Sequence, residues 1–253
     1  MVIMKKKYYI YASILLVFLI SLVIVFRRVK ATSIDITASV ANSAEIANDL
    51  GITGGDITMG AWWIMDAVPG TNVYYSVVHQ GDGGTFVTYW LRYENNGGTT
   101  QLSLLRDKSG VAALRADYAV TLSANRWYCL VGRDDGTNLE VWVDNVRQAT
   151  AATDRNNGSS GVTDGFAPGF GYEANNIPLD GKMSNVFVYN AAISTARTIS
   201  ACARRPADND PNLTLFWPMN ENTGATLVDH AGTAQNGTIT TPLWVNEHPY
   251  LAY

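Results

Sequence analysis

Apolar and polar residues alternate along much of this chain with a period of two. Between Arg126 and Asn145, two such runs flank Asp134-Asp135-Gly136-Thr137-Asn138, a cluster of turn formers. Strands bury every second residue, and Gly, Asp and Asn accept the backbone angles of a tight loop, so this stretch predicts a β-hairpin. In its first strand Trp127, Cys129 and Val131 share a face. In the second, Leu139, Val141 and Val143 share one, leaving Glu140, Trp142 and Asp144 on the other. Upstream, Ile57, Met59 and Ala61 alternate with Thr58, Gly60 and Trp62. In the run from Phe86 to Tyr93, the residues Val87, Tyr89, Leu91 and Tyr93 face one way, and Trp90 and Arg92 the other. Turn clusters at Pro69-Gly70, Gly81-Asp82-Gly83-Gly84 and Asn95-Asn96-Gly97-Gly98 separate these runs. Strands and turns at intervals of about ten residues predict an all-β sandwich or barrel.

Two stretches break the period. Ser194 is a plausible N-cap for a short helix in which Ile199, Cys202 and Ala203 form an apolar stripe. Arg204 and Arg205 suit the helix C-terminus, and Pro206 stops it. Residues 8–26 carry no charge and as a helix would span roughly 28 Å, enough for the hydrocarbon core of a bilayer. Lys5, Lys6 and Lys7 precede this run; Arg27, Arg28 and Lys30 come after it. A cleaved secretory signal has a shorter apolar region, so an uncleaved anchor fits better, and either implies export of the β-rich remainder of the chain. The division expected is residues 1–30 as a basic flank plus transmembrane anchor (or signal segment) and residues 31–253 as the β domain.

Four motifs in order sharpen this reading. Asp56-Ile57-Thr58-Met59-Gly60-Ala61-Trp62 resembles an early Asp-Phe-Thr-Ile-x-Ala-Trp strand. The central hairpin, with Trp127, a Gly turn and Leu139-Glu140-Val141-Trp142-Val143-Asp144, is the second. Leu179-Asp180-Gly181-Lys182-Met183-Ser184-Asn185-Val186-Phe187-Val188-Tyr189-Asn190 followed by Ala191-Ala192-Ile193-Ser194 is the third. A cassette over residues 213–244, with Trp217-Pro218-Met219-Asn220-Glu221, Asp229 and Asn236-Gly237-Thr238-Ile239, is the fourth. Together they resemble the laminin-G-like, concanavalin A-like jelly rolls over roughly residues 36–245. The resemblance implies a two-sheet antiparallel jelly-roll sandwich with one short helix, the cassette supplying strands that complete it. It also implies display outside the cytoplasm, on a single-pass anchor or secreted if the N-terminal segment is cleaved.

Composition excludes several functions. The net charge of −4 conceals an asymmetry: six of the 18 basic residues lie in residues 1–30, leaving 12 basic against 22 acidic residues elsewhere. An acidic body without a basic stripe argues against nucleic acid. The two cysteines, Cys129 and Cys202, lack zinc spacing and read as buried thiols, or as a bridge if the domain is exported. Retaining or inverting hydrolysis needs two carboxylates about 5–9 Å apart. Glu140 and Asp144, at i and i+4 on one strand, lie about 13 Å apart, and His79, His230 and His248 lack partner patterns. No enzyme is expected.

What remains is recognition. Sugar binding needs an aromatic face with polar groups beside it on a rigid sheet or rim. Trp90, Arg92, Glu140 and Trp142 all lie opposite the inferred core and would form such a platform if their strands were neighbours; Tyr172 with Asn175 and Asn176 offers a rim alternative. Related jelly rolls often hold calcium, for which Asp82, Asp134, Asp135 and Asp180 are the candidates. The Asp-Glu pair of the family's late strand is Ser184-Asn185 here, which puts that ion in doubt. The resemblance implies a recognition or adhesion module, with glycan as ligand. A structural or protein-interaction surface module without a sugar site is the alternative, and it requires Trp90 and Trp142 to be buried. A degenerate glycoside hydrolase is a third reading that no motif supports.

Overall fold

The computed structural model describes residues 33–36, 44–45, 50, 56–81, 87–108, 111–152, 166–169, 179–232, 235–240 and 243–247. The chain divides into Met1–Ala31 and Thr32–Tyr253, and every described residue lies in the second unit. The apolar run 8–26 lies outside the described residues, among which no helix is long and apolar enough to cross a membrane.

An eight-stranded sheet runs in the order β10 (Val146–Ala152), β9 (Asn138–Val143), β8 (Tyr128–Asp134), β3 (Ile57–Met65), β12 (Gly181–Tyr189), β1 (Ser33–Ile36) and β16 (Leu243–Val245). Its eighth strand, β13 (Leu213–Trp217), pairs with the end of β12, whose beginning pairs with β1. A five-stranded sheet runs β11 (Phe166–Pro168), β4 (Val73–Gly81), β5 (Val87–Asn96), β6 (Thr99–Lys108) and β7 (Val111–Ala119). Both are antiparallel. A small third sheet joins β14 (Thr226–Leu227), β15 (Gly237–Ile239) and β2 (Ala44–Glu45).

The main core lies between the two large sheets. It takes Met59, Ala61 and Trp63 of β3, Leu139 and Val141 of β9, Tyr89, Leu91 and Tyr93 of β5, and Leu102 and Leu104 of β6. A second core lies on the other face of the eight-stranded sheet, where Trp62, Cys129, Val131, Trp142 and Phe187 cluster with Ala201 and Cys202 of α1 (Thr195–Arg204). Strand β3 is therefore buried on both faces along all nine residues, which is why Ile57–Met65 reads as nearly continuous apolar sequence. Gly60 sits opposite Phe187 in the ladder; a Cβ there would lie 2.7 Å from the Leu130 carbonyl oxygen and 2.8 Å from the Phe187 ring. A disulfide between Cys129 of β8 and Cys202 of α1, with Cα atoms 5.7 Å apart, fastens the helix to the sheet.

Local signals account for the turns. Between β8 and β9, the Asp135 carboxylate accepts the Thr137 and Asn138 amides at 2.9 and 2.8 Å, and Gly136 takes φ 74°. Gly97 and Gly98, both at positive φ, join β5 to β6. Asp144 and Asn145, at φ 47° and 72°, make the two-residue turn into β10. Asp144 thus belongs to a turn and not to the strand face expected for it, and its carboxylate caps the Cys129 amide at 3.0 Å. In α1 the Ser194 N-cap forms as expected, but the buried stripe is Thr198, Ala201 and Cys202, with Ile199 38% exposed. The C-terminal cassette completes the large sheet through β13 and β16, while β14 and β15 stand apart in the third sheet. Its Asp229 is structural: the carboxylate accepts the amides of Phe216, Ala231 and Gln235 at 2.9–3.0 Å.

Candidate functional site

The outer face of the five-stranded sheet carries the richest polar arrangement. Strand β5 alternates Tyr89, Leu91 and Tyr93 into the core with Trp90, Arg92 and Glu94 outward. The Trp90 indole donates to Ser76 Oγ at 3.1 Å, Tyr74 meets it edge-on at 5.1 Å, and the Arg92 guanidinium lies 4.5 Å from its ring centre. Arg92 also lies 5.0 Å from the Tyr74 ring, and so is wedged between two aromatic groups.

Glu94 gathers the neighbouring strands. Its carboxylate accepts Arg92 at 2.6 Å, Gln101 Nε2 at 2.6 Å, Ser103 Oγ at 3.2 Å and the Arg115 guanidinium. Arg115 reaches on to Asp117 at 3.0 Å. Burial draws the Arg92 guanidinium below its usual pKa, with Glu94 opposing. For Arg115 burial pulls the same way, but Glu94 and Asp117 outweigh it and the value is raised.

Tyr74, Arg92, Glu94 and Arg115 line a cleft of about 310 Å³ together with Asn72, Val73, Asn95 and Asn96; Trp90 is not in its lining but packs against Arg92 and Tyr74. Arg92 Nε and Asn95 Oδ1 have no hydrogen-bond partner among the described residues, and both atoms are closed off from solvent. Asn95 is otherwise held by its Nδ2, which donates to the Pro69 carbonyl at 3.0 Å. Planar amide, guanidinium and carboxylate groups beside an aromatic ring can meet the paired hydroxyls and apolar ring face of a sugar.

The four residues expected to form one platform do not meet on one surface. Trp90 and Arg92 belong to the five-stranded sheet, whereas Glu140 and Trp142 lie on the outer face of the eight-stranded sheet. There Trp142 is 3% exposed and donates to Glu140 at 3.1 Å, and Glu140 is paired with Arg133 at 3.1 Å and Arg147 at 2.9 Å. Those strands belong to different sheets, so the condition on which the platform rested is not met. Trp90 is itself 3% exposed, so it supports the cleft without presenting an open stacking face. Tyr172, Asn175, Asn176 and Asp82 lie outside the described residues.

The remaining calcium candidates have other work or other surroundings. Asp134 is fully buried; it accepts Arg106 at 2.9 Å, the Tyr89 hydroxyl at 3.0 Å and the Gly136 amide at 2.7 Å, tying the two sheets together. Burial raises its carboxyl pKa, opposed by the Gly136 amide and Arg106. Asp135 caps its own turn. Asp180 is partly buried beside Gly181, and its carbonyl accepts the Asp66 amide at 2.7 Å. Among the described residues no group of three or more His, Cys, Asp or Glu is arranged to hold a metal ion.

A family model described as the Concanavalin A-like lectin/glucanases superfamily, Laminin_G_3, matches residues 38–197. The chain belongs to this family. Among solved structures, this laminin-G-like chain is similar to a candidate carbohydrate-binding protein from Bacteroides ovatus, with 18% identity and a TM-score of 0.65. That match covers 85% of this chain but only 59% of the Bacteroides chain. A heptameric SAP-like pentraxin from Limulus polyphemus is similar at 11% identity and TM-score 0.54, covering 70% of this chain and 86% of its own. The enzymatically active domain of bacteriophage CBA120 tailspike protein 2 is similar at 16% identity and TM-score 0.52, covering 68% and 28%. At such identities the likeness is one of fold. No curated protein matches the sequence.

Sequence reasoning missed most of the cleft of this laminin-G-like domain. Glu94 was within reach, since it continues the Trp90–Arg92 face by one more step of two. Asn95 and Asn96 read only as turn formers, and Tyr74 lies on β4, whose alternation is broken by bulges at Ser76/Val78 and Gln80/Gly81. Arg115 carries no local signal, because it joins the site through the β6–β7 pairing.

Proposed function

We propose that this laminin-G-like chain is an extracytoplasmic recognition module that binds glycan in the cleft lined by Tyr74, Arg92 and Asn95. The observation that carries the reading is the cleft itself, in which Asn72, Asn95 and Asn96 stand beside the Tyr74 ring, Arg92 and the network centred on Glu94. Amide and guanidinium groups on a cleft wall can pair with sugar hydroxyls while a tyrosine ring meets the apolar face of the sugar. The fold of the Bacteroides protein supports this in general terms. The Cys129–Cys202 bridge suits an oxidising compartment. Residues 8–26 have the length and flanks of a membrane anchor, which carbonate extraction of membranes from expressing cells would check. We read the module as non-catalytic, since the one carboxylate lining the cleft, Glu94, is engaged by Arg92 and Arg115.

A second reading is supported by a specific observation. Trp90 and Trp142 are both buried, as a structural or protein-interaction module without a sugar site requires. A glycan-array screen of the full chain, with and without calcium and beside a measurement of self-association, separates the two. Binding lost in Arg92→Ala or Asn95→Ala supports the glycan cleft, and calcium-dependent binding indifferent to both would move the site to the Asp-bearing loops. Self-association with no glycan bound under either condition favours the interaction module.

A further inference from the structure

A larger cleft, of about 600 Å³, opens beside α1 and the segment after it, within the range of roughly 300–1,000 Å³ common for small-ligand sites. Its walls bring together Arg197, Arg204, Arg205, Ser200 and Tyr189, with Pro206 and Pro211 stiffening the loop. The elements are held firmly. The disulfide fixes α1, the Trp62 indole donates to the Cys202 carbonyl at 2.9 Å, and Ser194 caps the helix start.

The three arginines differ in how they are spent. Arg197 is committed: it pairs with Asp210, donates to the Pro211 carbonyl at 2.7 Å and lies 5.3 Å from the Tyr189 ring centre. Tyr189 takes the other oxygen of Asp210 at 2.8 Å, so both oxygens of this carboxylate, which also lines the cleft, are engaged away from Arg204 and Arg205. Arg204 makes no ion pair or hydrogen bond among the described residues. Arg205 has one long contact, 3.4 Å to an exposed Asp208, of the kind that contributes little.

Cationic residues at a helix C-terminus offset its dipole, and that alone accounts for Arg204. It does not account for Arg205, whose backbone sits at φ 81°, ψ 151°, a conformation that glycine adopts at far lower cost. A glycine would end the helix more comfortably; an arginine held there keeps its guanidinium over Phe216, at 5.7 Å, beside the cleft. The concentration of charge also runs against the background of a domain in which acidic residues outnumber basic ones.

We propose that this cleft binds a ligand bearing a carboxylate or sulfate group, with Arg204 and Arg205 as its cationic contacts. The shared chemistry is a planar or tetrahedral oxyanion met by guanidinium forks. The site is separate from the cleft lined by Tyr74, Arg92 and Asn95 and does not depend on that reading.

The test is calorimetric titration of the full chain with three probes: a sulfated oligosaccharide, a hexuronate oligomer and a neutral oligosaccharide of similar size. At least one charged probe should bind at low salt, more weakly as salt rises, and well above the neutral one; which of the two binds names the oxyanion. Arg204→Gln and Arg205→Gly should each weaken that binding at least about tenfold. Arg205→Gly should not lower the melting temperature, because it relieves backbone strain. Arg126→Ala, which removes the same charge at another surface position, should leave binding unchanged. Failure of both charged probes to bind, or unchanged binding in the Arg204→Gln/Arg205→Gly double variant, overturns the proposal. A fall in melting temperature with Arg205→Gly that accounts for its lost binding also overturns it, by giving Arg205 a structural role.

Discussion

The outer faces of the two large sheets were built from the same period-two pattern and ended in opposite states. On the eight-stranded sheet, the residues pointing away from the main core are Trp62, Cys129, Val131, Trp142 and Phe187, all buried in a second core to which α1 is fastened by its disulfide. Even the buried Glu140 there is satisfied, by two arginines and an indole. On the five-stranded sheet the corresponding positions are Arg92, Glu94, Ser103 and Arg115, organised as a polar network beside an open cleft. One face is closed by the hydrophobic effect. The other leaves a polar cleft uncovered, and on our proposal that is the difference between a surface that stabilises and one that recognises.

Substitutions on the closed face should cost the most. Trp142→Ala removes a large buried side chain and a hydrogen-bond partner of Glu140, and should destabilise by about 3–5 kcal/mol in chemical unfolding while leaving any glycan affinity intact. Glycan binding that fails in folded Trp142→Ala protein would break the contrast between the faces. Replacing both Cys129 and Cys202 with Ala opens a link spanning 73 residues and should cost roughly 2–4 kcal/mol, read in the same way. On the open face Asn95→Ala gives up the single bond to Pro69 and should cost only about 0.5–1.5 kcal/mol, yet it should abolish detectable glycan binding.

The smallest effect concerns pH at the end of the eight-stranded sheet. The Asp35 carboxyl is raised above 3.8, first by burial and then by Asp66, Asp180 and Glu247, with Lys182 pulling the other way. The folded state therefore holds this proton more tightly than the unfolded one. The stabilisation is complete below the unfolded value and is lost as pH rises through the folded one. Asp35→Asn should remove that loss. Melts of both proteins from about pH 3 to about pH 6 should show the difference moving in the variant's favour as pH rises; a constant difference would show that Asp35 ionisation is uncoupled from folding.

Much of the architecture could be read from residues alone, for a physical reason. Alternation in Ile57–Met65, Tyr89–Tyr93 and Leu139–Val143 is a local property of strands, and the turns of Asp135-Gly136 and Gly97-Gly98 arise from backbone preferences of those residues. The candidate site was harder, because period two says which residues share a face of one strand and nothing about which sheet that strand joins. Trp90 and Trp142 look alike in sequence, each opposite an apolar alternation, yet they point to opposite sides of the sandwich. Arg115 reaches Glu94 only through two rungs of pairing, and Cys202 meets Cys129 only because α1 folds back over β8. In α1 itself, taking Ile199 and not Thr198 for the buried face is an error of one position, about 100° of helix rotation.

The division between the faces is tested most sharply by titrating an array-selected glycan into wild-type chain, Arg92→Ala and Trp142→Ala, each first confirmed as folded. Arg92→Ala should lose binding by at least about tenfold while Trp142→Ala, though less stable, retains wild-type affinity. Affinity lost in Trp142→Ala and kept in Arg92→Ala would place recognition on the closed face and refute the division.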